Sequence, residues 1–222
     1  MTVLAVALAT AAALVTARWW SRRTDALGRP RRFPSVSVVA LVALAVAAMV
    51  PTYLRHSEEG KLSAVAGRLV GVPVRVHCQT FGQTFFQVGG ELGYVKWGRD
   101  GHPEHQAFIM RGPCGELRDY LHSRKHRPSG DEIVAVHVLT HESMHMRGIE
   151  NEADAECAAM QRDAETAELL GADRADAQAL ARVYWLNDYP QMPGDYRSAE
   201  CRPGGALDEH LPMAPWNPPG LS

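Results

Sequence analysis

LTHESMHMRGIENEADAEC, residues 139–157, sets His141 and His145 four positions apart with Glu142 beside the first of them. On a helix, side chains four apart project one above the other from a single face. Two imidazoles so arranged can hold one zinc ion, and the adjacent glutamate then points towards the open coordination position. Zinc lowers the pKa of a bound water from about 15.7 to near 7, so a glutamate placed there can take its proton at neutral pH. Three acids follow as candidates for the third ligand. Glu152 and Glu156 are themselves four apart, so one can bind metal while the other orients a ligand or holds a proton. Glu150 precedes Asn151, a natural N-cap, and hangs from the connecting loop. The order of preference is Glu152, then Glu156, then Glu150, with His141 and His145 as the fixed pair.

The flanking sequence supplies a helix for the motif. Ser129 and Glu132 stand in capping-box spacing after Pro128, and Gly148 suits the left-handed residue that ends a helix. Ile133, Val134, Val138 and Leu139 form its apolar face. Upstream, residues 56–71 read as a helix, 72–78, 91–97 and 105–110 as strands, and 114–125 as a further helix. Downstream, one helix is expected from Asn151 to Gly171 and another from Asp173 to Asp188. The fold class is therefore α+β: a small antiparallel sheet, the helix with the two histidines and further C-terminal helices. Residues 213–222 read as a disordered tail. His137, one turn before His141, reads as an ordinary helix residue facing a polar neighbour or as a partner behind the ligands. His102 and His105 fall at a hairpin tip, and His122 and His126 in a basic solvated stretch.

Residues 3–17 and 35–54 carry no charge, and between them six arginines face one acid, Asp25. A bilayer core needs about 20 apolar residues as a helix. The second segment meets that; the first does so with Trp19 and Trp20 at the interface. Positive loops stay in the cytoplasm, so residues 1–55 read as a transmembrane hairpin with residues 56–212 outside. A cleaved signal is the alternative. All four cysteines lie beyond the apolar segments. An even number in an exported domain suggests two disulfides, and Cys78–Cys114 with Cys157–Cys201 joins neighbouring parts of the chain. A net charge of −2 offers no footprint for nucleic acid.

HExxH on a helix after a small sheet, with an acidic ligand downstream, resembles the zincin metallopeptidases. ENEAD (150–154) looks like the E-x-x-A-D signature of the gluzincin branch, which would nominate Glu150. HESMHMRG also resembles the HExxHxxG of metzincins, but Asn151 stands where their third ligand belongs. The chain is similar, too, to small membrane-anchored bacterial proteins with HE-x-x-H-x-R-G-x-x-[DN]-E-A-x-x-E-C, on which Glu152 and Glu156 align. The resemblance implies a zinc-dependent peptidase acting on a peptide or protein, with Glu142 as general base. Of the downstream groups able to stabilise an oxyanion, Tyr184, Tyr189, Tyr196 and His210, the choice falls on Tyr196, because a Cys157–Cys201 bridge draws its loop towards the helices. Strand 105–110, as a sheet edge, is expected to align an extended peptide. The alternative is a non-catalytic exported domain that binds a partner protein, with or without structural zinc.

Overall fold

The computed structural model describes residues 2–25, 27–79 and 92–217. The chain divides into two units, Met1–Glu58 and Glu59–Ser222. The first holds α1 (Thr2–Ser21) and the start of α2 (Ser35–Val70). Both helices are long and apolar enough to cross a membrane. The expected separate helix over 56–71 is instead the continuation of α2, which runs through Pro51 without a break. The stretch after Leu54 contains no stop: Gly60 and Gly67 keep a helical backbone, and the first left-handed residue beyond Leu54 is Gly71.

In the second unit the end of α2 buries Leu62, Val65, Ala66 and Leu69 in the core. The sheet consists of β1 (Arg75–Cys78), β2 (Gly93–Trp97) and β3 (Pro103–Ile109), in the order β1-β3-β2. It is mixed rather than antiparallel: β2 and β3 form a hairpin, whereas β1 runs parallel to β3. Alternation of side chains reveals a strand but not its direction. The cysteines account for the direction, because parallel pairing sets Cys78 opposite Ile109, just ahead of Cys114. A second correction follows. The strand expected at the edge, 105–110, is the central one, and β2 is an edge. Glu91, at the start of the expected strand 91–97, lies outside the described residues.

Five more helices follow: α3 (Arg111–His122), α4 (Gly130–Met146), α5 (Glu152–Met160), α6 (Asp163–Leu169) and α7 (Arg174–Val183). A π-helical turn, Tyr184–Asp188, and two 3₁₀ turns, Tyr189–Gln191 and Gly194–Tyr196, continue the chain. The single helix expected over 151–171 is broken. At the break the Gln161 amide donates to the carbonyls of Cys157 and Leu207, and Arg162, at φ −112°, pairs both guanidinium nitrogens with the Glu209 carboxylate. These bonds pin the segment around Leu207–Glu209 to the helices. Beyond it Ala214 is buried and Met213 and Trp216 pack against the core, while 218–222 lie outside the described residues.

α4 is the axis of the domain. It is buried without interruption from Ala135 to Met146, so it is covered on all sides rather than amphipathic, as a helix inside a core must be. Its start has the full capping box: the Glu132 amide donates to Ser129 Oγ and the Ser129 amide to the Glu132 carboxylate.

Both expected disulfides are present, Cys78–Cys114 and Cys157–Cys201. The second closes a segment of 44 residues and ties α5 to the turn after Tyr196. Replacing Cys157 and Cys201 together with serine is expected to cost about 2–4 kcal/mol in denaturant unfolding. An unchanged midpoint would show that the bridge adds no stability.

Candidate metal centre

α4 presents His137, His141 and His145 at successive turns, and α5 brings Glu152 and Glu156 across from them. α4 ends in a Schellman turn, in which the Gly148 amide donates to the carbonyl of His145 and the Ile149 amide to that of Met144. Gly148 supplies the left-handed conformation, φ 99°, that reverses the chain. Asn151 then caps α5, its side chain accepting from the Asp154 amide, and this sets Glu152 in the first turn.

Three atoms converge. His141 Nε2 lies 2.9 Å from His145 Nε2 and 3.1 Å from Glu152 Oε2, and His145 Nε2 lies 3.3 Å from the same oxygen. A tetrahedral zinc site with bonds of about 2.0 Å separates its ligand atoms by about 3.3 Å, so the triangle has the right size. The rear nitrogens fix the tautomers. His145 Nδ1 donates to the Ile149 carbonyl at 2.7 Å, and His141 Nδ1 donates to Glu156 Oε2 at 3.0 Å. Both Nε2 atoms therefore face one point beside a carboxylate, where a cation can replace the protons that otherwise bridge rings and carboxylate. His141, His145 and Glu152 fit zinc in donor type and spacing.

Glu156 does not join this triangle. It is fully buried behind His141 and accepts from three groups: His141 Nδ1, His137 Nε2 at 2.9 Å and the Tyr184 hydroxyl at 2.7 Å. His137 donates its other nitrogen to Asp163 Oδ2 at 2.9 Å and stacks on the Tyr184 ring, with centroids 3.7 Å apart. His137 thus faces two polar neighbours, Asp163 and Glu156, and shares the second of them with His141. The group His137, His141 and Glu156 could also hold a metal ion by proximity. In both groups two imidazole nitrogens meet one carboxylate oxygen, and His141 belongs to both.

With no metal bound, protons on the rings balance the carboxylates instead. Burial disfavours the His137 imidazolium, but Asp163 and Glu156 outweigh it and hold the group at about 10. His141 is likewise lowered by burial and raised more strongly by Glu152 and Glu156, to about 9. Hydrogen bonds from His141 and His145 hold Glu152 at about 2. Burial acts to raise Glu156, yet the His137 and His141 rings bring it well below the carboxylate range. Burial, then Glu156, push the Tyr184 phenol far up, so it stays a donor.

A cavity of about 690 Å³ opens on this network. His141, Glu142, Glu156, Tyr184 and Tyr196 contribute to its wall. Tyr196, the residue chosen for the oxyanion, has its ring 5.8 Å from that of His141. The other downstream groups lie elsewhere or are engaged. Tyr184 is bound to Glu156, Tyr189 exchanges hydrogen bonds with Ser198, and His210 is exposed beside Asp208. Glu150 is exposed and belongs to neither metal group among the described residues.

Glu142 is buried at the cavity wall, and β2 approaches it closely at Gly93. A Cβ on Gly93 would stand 2.6 Å from Glu142 Oε1 and 2.9 Å from its Cγ and Cδ. Gly93→Ala is therefore expected to displace Glu142 and cost about 1–3 kcal/mol. Gly112→Ala, where a Cβ meets nothing, is the control for denaturant unfolding. Equal effects of the two would show that the close approach is unimportant. Asp163 and Gly93 were not singled out from the sequence. Neither carries a signal in the sequence, because Asp163 meets His137 and Gly93 meets Glu142 through contacts made across the fold. Comparison with protein-family models, curated proteins and solved structures finds no match for this chain.

Proposed function

We propose that the chain is a membrane-anchored, zinc-dependent metallopeptidase of zincin type, with its second unit outside the cytoplasmic membrane. The observation that carries the reading is the convergence of His141 Nε2, His145 Nε2 and Glu152 Oε2 within 3.3 Å of one another, with His141 and Glu142 both in the wall of one cavity. His141, His145 and Glu152 would hold the zinc, with Glu156 and the Ile149 carbonyl fixing the two rings. Zinc bound there supplies an acidified water and a Lewis acid for the scissile carbonyl. Glu142 takes a proton from the attacking water and passes it to the leaving amine. Tyr196 donates a hydrogen bond from its hydroxyl to the developing oxyanion. An extended peptide lies along β2, whose first residue, Gly93, is at the cavity, rather than along the central β3. The anchor reading is supported by the two apolar helices.

The test is zinc content of the full-length protein, produced in oxidising conditions and held in a neutral detergent. One zinc per chain is expected. Glu142→Gln should keep it, while Glu152→Gln and His145→Ala should lose it. A folded parent without zinc sinks the reading. Zinc that depends on His137 but not on His145 assigns the ion to the inner group instead. Full zinc with no peptide hydrolysis, in parent and Glu142→Gln alike, favours the non-catalytic binding domain.

A further inference from the structure

We propose that four arginines at the end of α1 and in the connection after it form a binding cleft for the headgroup of an anionic phospholipid. The proposal rests on the membrane reading of α1 and α2 and is independent of the zinc site. Arg18, Arg22, Arg31 and Arg32 border a cleft of about 280 Å³, with Val15, Trp19 and Pro34 completing its wall. The connection that presents them is held in shape. Asp25 Oδ1 accepts from the amides of Leu27 and Arg29, both at 2.8 Å, and Thr24 bridges to Pro30. Trp19 Nε1 donates to the Arg31 carbonyl at 3.2 Å, and its ring meets Phe33 edge-to-face, with centroids 4.9 Å apart.

Charge then identifies the occupant. Asp25 is the one acid in residues 1–57, and its Oδ1 caps the turn. Among the described residues no carboxylate pairs with the four guanidinium groups. Like charges around one cleft repel, and a phosphate oxygen pair matches the guanidinium fork in shape as well as in sign. Depth selects a lipid as its source. α1 has 20 residues, about 30 Å, the thickness of a bilayer core, and the cleft is at its end. Trp20 and Phe33 are exposed at the same level, where aromatic side chains meet headgroups. Basic side chains in that position attract anionic lipid. Arg23 lies over the Trp20 ring at 5.1 Å and, like Arg29, is not part of the cleft.

The full chain in neutral detergent is titrated with short-chain phosphatidylglycerol or phosphatidylcholine, and bound lipid is counted by native mass spectrometry. Phosphatidylglycerol is expected to bind preferentially. The double variant Arg22→Gln/Arg31→Gln should weaken it on the order of 30-fold. Arg23→Gln/Arg29→Gln, which removes the same charge beside the cleft, should retain it. Equal loss in both double variants would mean diffuse attraction and overturns the cleft. So does equal binding of the two lipids. Displacement of the lipid by millimolar inorganic phosphate would make this a free-phosphate site and overturns the lipid assignment. A chain that stays in aqueous solution without detergent and binds no phospholipid overturns both the membrane reading and the cleft, and leaves the zinc measurement untouched.

Discussion

Glu156→Ala is expected to destabilise the protein by about 3–5 kcal/mol, the scale of removing one partner from a buried charged network. The side chain is fully buried, and three donors end on it: His137, His141 and Tyr184. Alanine leaves all of them without an acceptor in the core. Zinc affinity should fall as well, roughly 10- to 100-fold, because His141 loses the bond that holds its ring. Glu156→Gln keeps the shape and an acceptor but not the charge, so it should lie between the two. The metal-free protein adds a check by pH. Glu156 is depressed in the folded state, so its contribution is present above the unfolded value of 4.5 and is lost as pH falls. His137 is raised, so its contribution is complete below 6.5 and is lost as pH rises through about 10. Wild-type stability should therefore peak between about 4.5 and 6.5. Glu156→Ala should flatten that profile, and a variant with the parent's profile would mean that the network contributes nothing.

Glu142→Gln is expected to lower peptide turnover by about 10²- to 10⁴-fold, the usual contribution of a general base and acid. Zinc content should stay at the parental level, since Glu142 belongs to neither group of converging ligand atoms. The combination separates proton transfer from metal binding. Loss of turnover together with zinc would mean that the substitution had disturbed α4. Unchanged turnover would remove Glu142 from the chemistry.

Much of this centre is local in sequence, and that part was legible. The capping box, the histidines four apart, Gly148 and Asn151 are all separated by a few residues, so helical geometry alone relates them. The same spacing marked Glu152 and Glu156 as a pair, although it could not say which faced the histidines and which stood behind. Contacts made across the fold were hidden. Asp163 reaches His137 only because α5 and α6 break at Gln161–Arg162, and that break depends on Leu207 and Glu209 far along the chain. The parallel direction of β1 and the central place of β3 are likewise matters of pairing, on which alternation is silent. Burial of α4 on every side followed from its neighbours rather than from its own pattern.

The turn that ends α4 makes the two histidines unequally vulnerable. His141 is oriented by a carboxylate, so a single base change at codon 156 can undo it. His145 is oriented by the main-chain oxygen of Ile149, which every amino acid carries. Substitutions at residue 149 leave that acceptor in place, and only a change that alters the backbone, above all at Gly148, can move it. One half of the pair is thus insulated from sequence drift, and the other is exposed to it.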